Sequence, residues 1–207
     1  MSAFQEVPAN NFSIARRKLV YGVGINNAEY MVRQFINGKN TRCPYYTKWS
    51  NMLKRCYSEL FQKTHPAYIG CTTSKHWIKF SNFKDWMQKQ DWESMDLDKD
   101  IKLKGNKIYS ENACLFIPAK LNSFLSGDNA IKGGLPQGVS LCKSTGKFRV
   151  KMYQGGKDKH LGRFGTQEEA LKVYGLAREV KIQSLIDNNT YPMATQYLSQ
   201  HINQGSN

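Results

Sequence analysis

From Lys147 to Tyr153 the chain alternates without a break: Phe148, Val150 and Met152 fall on one side, and Lys147, Arg149, Lys151 and Tyr153 on the other. A period of two over that length specifies a strand with one apolar and one polar face. Gly155-Gly156 then reads as a hairpin turn, and His160-Leu161-Gly162-Arg163-Phe164 as a returning strand. Thr166 and Glu169 have the spacing of a capping box and predict a helix that shows Ala170, Val173, Tyr174, Ala177 and Val180 on one face. With a first strand near Val139, these pieces predict a three-stranded antiparallel sheet with one helix on its apolar side.

Upstream the period changes. Trp49, Met52, Leu53, Cys56 and Tyr57 recur at helical spacing, and Trp77, Phe80, Phe83 and Met87 repeat the pattern over 76–89. Both stripes read as core. Leu97–Ile101 and Cys114–Ile117 read as short strands around a polar loop, and Pro118 opens a helix through Leu121, Asn122 and Leu125. The glycines and proline of 127–137 suggest a linker. The expected fold class is therefore α+β, with 1–45 hard to read, a central module over 46–126, a linker over 127–137, a sheet-and-helix domain over 138–187, and a polar, frayed tail over 188–207. In 1–45 the visible signals are a short strand and turn at Val20–Gly24 and a turn at Asn37-Gly38-Lys39-Asn40.

Charge narrows the partners. Thirty Lys and Arg against sixteen Asp and Glu give a formal +14, which attracts a polyanion and makes binding steeply salt-dependent. No apolar run approaches a membrane span, and the first thirty residues lack an apolar signal core. The expectation is a cytoplasmic protein with no membrane partner and no small-molecule cofactor. The five cysteines form no Cys-x-x-Cys pair. Reduced, buried thiols are expected rather than zinc ligands, since Cys56, Cys71 and His76 match no standard spacing.

The outward side of the 147–153 strand carries cations with no acid between them. That pattern fits either a solubilising surface or a sheet laid into the DNA major groove, where Lys and Arg reach phosphates and guanine edges. Gly138-Val139-Ser140, Gly146-Lys147-Phe148-Arg149-Val150 and Leu161-Gly162-Arg163-Phe164-Gly165-Thr166, followed by Glu169, Ala170, Tyr174 and Ala177, closely resemble the ethylene-response-factor (Apetala-type) DNA-binding domain. The resemblance implies that Lys147, Arg149, Lys151 and Tyr153 contact the groove, with Ser140, Lys143, Lys159 and His160. Ser140 and His160 depart from the arginine and tryptophan of the plant domains, so the plant target sequence is not expected.

A second likeness covers about 45–125. Leu97-Asp98-Lys99-Asp100-Ile101, Tyr109-Ser110-Glu111-Asn112-Ala113-Cys114 and Asn122, with Trp49–Tyr57, Pro66–Tyr68 and Trp77–Phe83 upstream, resemble the HNH nucleases of phage homing endonucleases. The resemblance places Asp98 and Asn122 as ligands of Mg²⁺ or another divalent cation and Asn112 as the residue ordering the loop. Lys99 stands where that pattern has its histidine base, and an ammonium is a poor base. Asp100 is left as a substitute base or second metal ligand. His65, His76 and His201 lack a partner at ligand spacing, and His76 reads as part of a helix start.

The expected function is a sequence-directed, metal-dependent DNA endonuclease or nickase acting on double-stranded DNA. The alternatives are a catalytically inactive relative that regulates by occupying its site and, more weakly, a nonspecific packaging protein.

Overall fold

Aromatic side chains at helical spacing determine how the first part of the chain folds. The computed structural model describes residues 4–36, 38–126, 134–135, 138–154 and 156–202. It is an α+β chain with small sheets, divided into two compact units, Met1–Phe116 and Ile117–Asn207. No helix among the described residues is long and apolar enough to cross a membrane.

The first unit runs α1 (Asn11–Ala15), β1 (Arg33–Ile36), β2 (Lys39–Arg42), α2 (Pro44–Tyr57), α3 (Glu59–Thr64), β3 (Thr72–Thr73), α4 (Phe80–Met87), β4 (Met95–Asp98), β5 (Ile108–Tyr109) and β6 (Leu115–Pro118), which runs on past its end. Pro44 opens α2, where its missing N–H costs nothing. Trp49, Met52, Leu53 and Cys56 are buried as their spacing predicts, and so are Trp77, Phe80, Phe83 and Met87. Each such side chain contributes about 1.5–3 kcal/mol through burial. The rings interlock: Tyr46 meets Phe80 edge-on at 5.2 Å, and the Trp49 indole donates to the Trp77 carbonyl at 2.8 Å. Gly24 is required by close approach, because a Cβ there would lie 2.3 Å from Leu53 and 2.9 Å from Trp49.

Two readings shift in this unit. Residues 76–89 form a 3-10 turn (His76–Ile78) followed by α4 rather than one helix. The strand expected over Leu97–Ile101 is Met95–Asp98. Asp98 ends it early: its side chain accepts from the backbone amides of Asp100 and Ile101 and turns the chain.

The second unit contains α5 (Ala119–Ser126), β7 (Val139–Cys142), β8 (Lys147–Gln154), β9 (Lys157–Phe164), α6 (Gln167–Asp187) and α7 (Pro192–Leu198). The strands form an antiparallel sheet in the order β7-β8-β9. Val139, Val150 and Ala170 are its buried centre, with Phe148, Leu161, Phe164, Leu171 and Tyr174 packed around them. The capping box forms: Glu169 N–H donates to Thr166 Oγ1 at 3.2 Å, and Thr166 N–H to Glu169 Oε2 at 3.3 Å. Gly138, at φ +97°, lies so close to the Lys151 carbonyl that a Cβ would sit 2.4 Å from it.

Two expectations fail here. Val180 is 70% exposed; of the expected face Ala170 is buried and Val173, Tyr174 and Ala177 are half-buried, while Arg178 and Ile182 complete the buried side of α6. The tail is not frayed through 202, since α7 buries Ala194 and Leu198. Most of the expected linker lies outside the described residues, and α5, read with the central module, groups with the second unit.

Candidate nucleic-acid interface

Strand register decides which side chains share a face of the β7-β8-β9 sheet. Arg149 stands between Ser140 on β7 and Arg163 on β9; Lys147 pairs with Cys142, Lys151 with His160, and Tyr153 with Asp158. These residues form one face, and Val139, Phe148, Val150 and Met152 lie on the other. Lys147, Arg149, Tyr153, His160 and Arg163 are exposed, while Ser140 and Lys151 are half-buried. The outward placement expected for the 147–153 strand is thus what the structure shows.

A register shift on β9 determines the rest of the face. Val150 pairs with Gly162 and Lys151 with His160, so Leu161 is an extra residue, a β-bulge. A one-residue slip reverses the side on which each later residue points. It places His160 among the cations, whereas Lys159, expected on the same surface, stands opposite Met152 on the α6 side. It also places Asp158 on the basic face, where it forms an ion pair with Lys151. Lys143 is exposed on the 143–146 turn. Arg163 joins this face although nothing in the local sequence pattern marks it. Its signal is the pairing with Arg149, which is invisible until register is known.

None of the ion pairs among the described residues takes Lys147, Arg149 or Arg163. Like charges directly opposite across a ladder destabilise a sheet, so the Arg149–Arg163 pairing is unfavourable by itself. Cys142 lies on it as well. Hydrogen bonds from Ser144, with Oγ 3.2 Å from the sulfur, and from Thr145 lower its thiol pKa to about 7.

The loop after β4 is built differently from a metal site. Asp98 Oδ1 accepts from Asp100 N–H at 2.9 Å and Ile101 N–H at 2.6 Å. Burial, reinforced by the Asp100 charge and opposed by these amides, raises the Asp98 pKa. Lys99 is buried, and its ammonium donates to Asp100 Oδ1 at 2.8 Å, to Oδ2 at 2.7 Å and to the Asn106 carbonyl at 2.6 Å. Three of the four carboxylate oxygens are therefore engaged, and an ammonium already neutralises Asp100. A divalent cation does not fit this arrangement as it stands. Asn112 is exposed on the 111–113 turn, its carbonyl accepting from Lys102 at 3.2 Å; Asn122 lies on α5, in the other unit. Among the described residues no three His, Cys, Asp or Glu side chains gather as a metal site.

His76 does find a partner across the fold. Its Nε2 lies 3.1 Å from Glu111 Oε1, and its Nδ1 lies 3.3 Å from the Asn82 amide nitrogen. Both ring nitrogens are engaged, which makes the group a surface pin. Compared with profiles of known families, with curated proteins and with solved structures, the chain gives no match.

Proposed function

We propose that this chain is a sequence-directed binder of double-stranded DNA that lays its β7-β8-β9 sheet into the major groove. The observation that carries the reading is Arg149 directly opposite Arg163, both exposed, on a face whose inward side is sealed by Val150 and Met152. Such a face is costly in isolation and complementary to phosphates and guanine edges. Its similarity to the ethylene-response-factor domain supports the same docking mode. The geometry around Lys99 favours occupancy of a site without cleavage, since an internal ammonium takes the position where the HNH likeness expects catalytic machinery.

The endonuclease reading keeps one supporting observation, the order strand β4, a connection that contains β5, strand β6 paired with β4, and helix α5, with Asp98 at the end of the first strand and Asn122 on the helix. A single experiment separates the two. Duplexes selected from a random pool are assayed for binding at matched salt, then supercoiled plasmid carrying the selected site is incubated with Mg²⁺ or Mn²⁺. Specific binding lost in Arg149→Ala and Arg163→Ala, with intact plasmid, is the expected result. Nicking abolished by Asp98→Ala establishes the endonuclease instead. Equal affinity for selected and random duplexes overturns sequence-directed binding.

A further inference from the structure

Between Glu29 and Glu59 the chain carries Arg33, Lys39, Arg42, Lys48, Lys54 and Arg55 and no acid. The only other acid-free stretch of comparable charge, 129–157, holds Lys147, Arg149 and Lys151 of the sheet face described above. Within the earlier stretch, β1 and β2 form an isolated two-stranded ribbon. Arg33 pairs with Arg42 and Phe35 with Asn40 on one face; Gln34 pairs with Thr41 on the other.

Burial separates the two faces. Arg33, Phe35 and Asn40 are exposed, Phe35 at 73%, whereas Gln34 and Thr41 are half-buried. The Gln34 amide is fastened inward, donating to the Gln5 carbonyl at 2.7 Å and the Met31 carbonyl at 3.2 Å. Arg42 is anchored at the ribbon's root by Ser50 Oγ at 2.9 Å, with its guanidinium 5.0 Å from the Tyr46 ring centre. Burial first, and the charge of Arg33 second, lower the Arg42 pKa.

This face combines three features that are unfavourable in water: arginines directly opposite each other, no carboxylate on the ribbon to relieve them, and a phenylalanine left out of the core. A duplex offers phosphates to the arginines, a base edge to the asparagine amide, and sugars and thymine methyls to the aromatic ring. A two-stranded ribbon also has dimensions that a DNA groove accepts. We propose that the β1–β2 ribbon is a second DNA-contacting element, carried by the first unit, in which Arg33 binds a phosphate, Asn40 faces a base edge and Phe35 packs on the duplex. The proposal rests on the reading of duplex DNA as the partner and extends it to a footprint with two separate contributors.

The test uses the full chain on a selected duplex, reading fluorescence anisotropy across a salt series and hydroxyl-radical footprints. Arg33→Ala is expected to weaken binding about tenfold and lower the salt slope by about one. Phe35→Ala is expected to weaken binding with the slope unchanged. Both are expected to lose protection over one segment of the footprint, distinct from the segment lost in Arg149→Ala. Asn40→Ala, scored the same way, replaces Phe35→Ala if that variant unfolds. Wild-type binding and footprint in the ribbon variants, with Arg149→Ala impaired, overturn this proposal and leave the sheet reading standing. Impaired ribbon variants with unimpaired Arg149→Ala and Arg163→Ala overturn the sheet reading instead. If nothing shifts, both fall. Ribbon variants that lose co-sedimentation with anionic vesicles but keep DNA binding assign the ribbon to a membrane and overturn the proposal.

Discussion

Lys99 and Asp100 form a closed pair, the ammonium at 2.8 and 2.7 Å from the two carboxylate oxygens, with the lysine side chain 6% exposed. Asn106 completes the knot, since its carbonyl accepts from Lys99 and its amide donates to the Lys99 carbonyl at 2.9 Å. The loop that follows β4 is thus held together by an internal cation. Lys99→Met removes that cation and leaves Asp100 and the Asn106 carbonyl without it. Breaking a fully buried pair costs more, but the Asp100 side chain is 43% exposed, so a loss of about 1–3 kcal/mol is expected. Urea denaturation measures it. Unchanged stability would show that the knot contributes nothing.

Asp98 answers to pH. Burial raises its folded-state pKa above the unfolded value, so the native state binds this proton more tightly than the unfolded chain does. Its contribution to stability therefore grows as pH falls through the raised folded pKa toward the ordinary carboxylate value, and shrinks as pH rises. Asp98→Asn keeps an oxygen for the Asp100 and Ile101 amides while removing the charge. The difference in unfolding free energy between wild type and this variant is expected to favour the variant at neutral pH and to narrow on acidification. Asp98→Ala, which leaves two amides without an acceptor, is expected to cost about 1–2 kcal/mol. A wild-type-minus-Asn difference that does not vary with pH would mean that Asp98 titrates as it does in the unfolded chain.

How far the sequence could be read depended on whether a pattern is local. The two faces of β8 are visible in the alternation of Lys147–Tyr153 because burial on one side enforces period two, and the capping box at Thr166 is visible because both partners lie within one turn. Register is not local. Leu161 as a bulge, and with it the sides taken by Asp158, Lys159, His160 and Arg163, emerges only when two strands are laid together. The ribbon in the first unit leaves only a turn signal over 37–40, of which Lys39 and Asn40 belong to β2; its strands stay hidden because the half-buried side mixes Gln34 and Thr41 with a single apolar residue, Ile36. The role of Asp98 was hidden for a similar reason: a carboxylate that ends a strand looks the same whether it awaits a metal ion or accepts its own backbone amides.

Arg163 and Lys159 lie four residues apart on one strand yet face opposite sides of the sheet. Electrostatics treats the two cations alike at long range, so a protein held by net charge alone would lose similar affinity on neutralising either. Groove docking makes them differ. Arg163→Ala is expected to weaken binding to a selected duplex about tenfold or more and to relax preference at one base position, with Lys159→Ala changing affinity less than about twofold. Competition binding at fixed salt with single-base-substituted duplexes checks this. Equal effects would indicate a diffuse field rather than a docked face.

Cys142 gives chemical access to the same face. Its thiol pKa, lowered to about 7 by Ser144 and Thr145, contrasts with Cys56 and Cys114, pushed up to about 12 by burial, and with Cys71, also raised by burial. The thiolate is the nucleophile, so reactivity rises with pH through the pKa. Alkylation of the folded protein is expected to modify Cys142 first, with a rate half-maximal near pH 7, and mass spectrometry of tryptic peptides locates the label. Iodoacetamide leaves a neutral adduct and iodoacetate a carboxylate of similar size. Cys142 pairs with Lys147 on the cationic side of the sheet, so the carboxylate is expected to weaken DNA binding several-fold more than the neutral adduct, and more steeply at low salt, where exposed charges are least screened. Cys142→Ser removes the response to both reagents. If the two adducts bind DNA equally well, the duplex does not meet this face at Cys142.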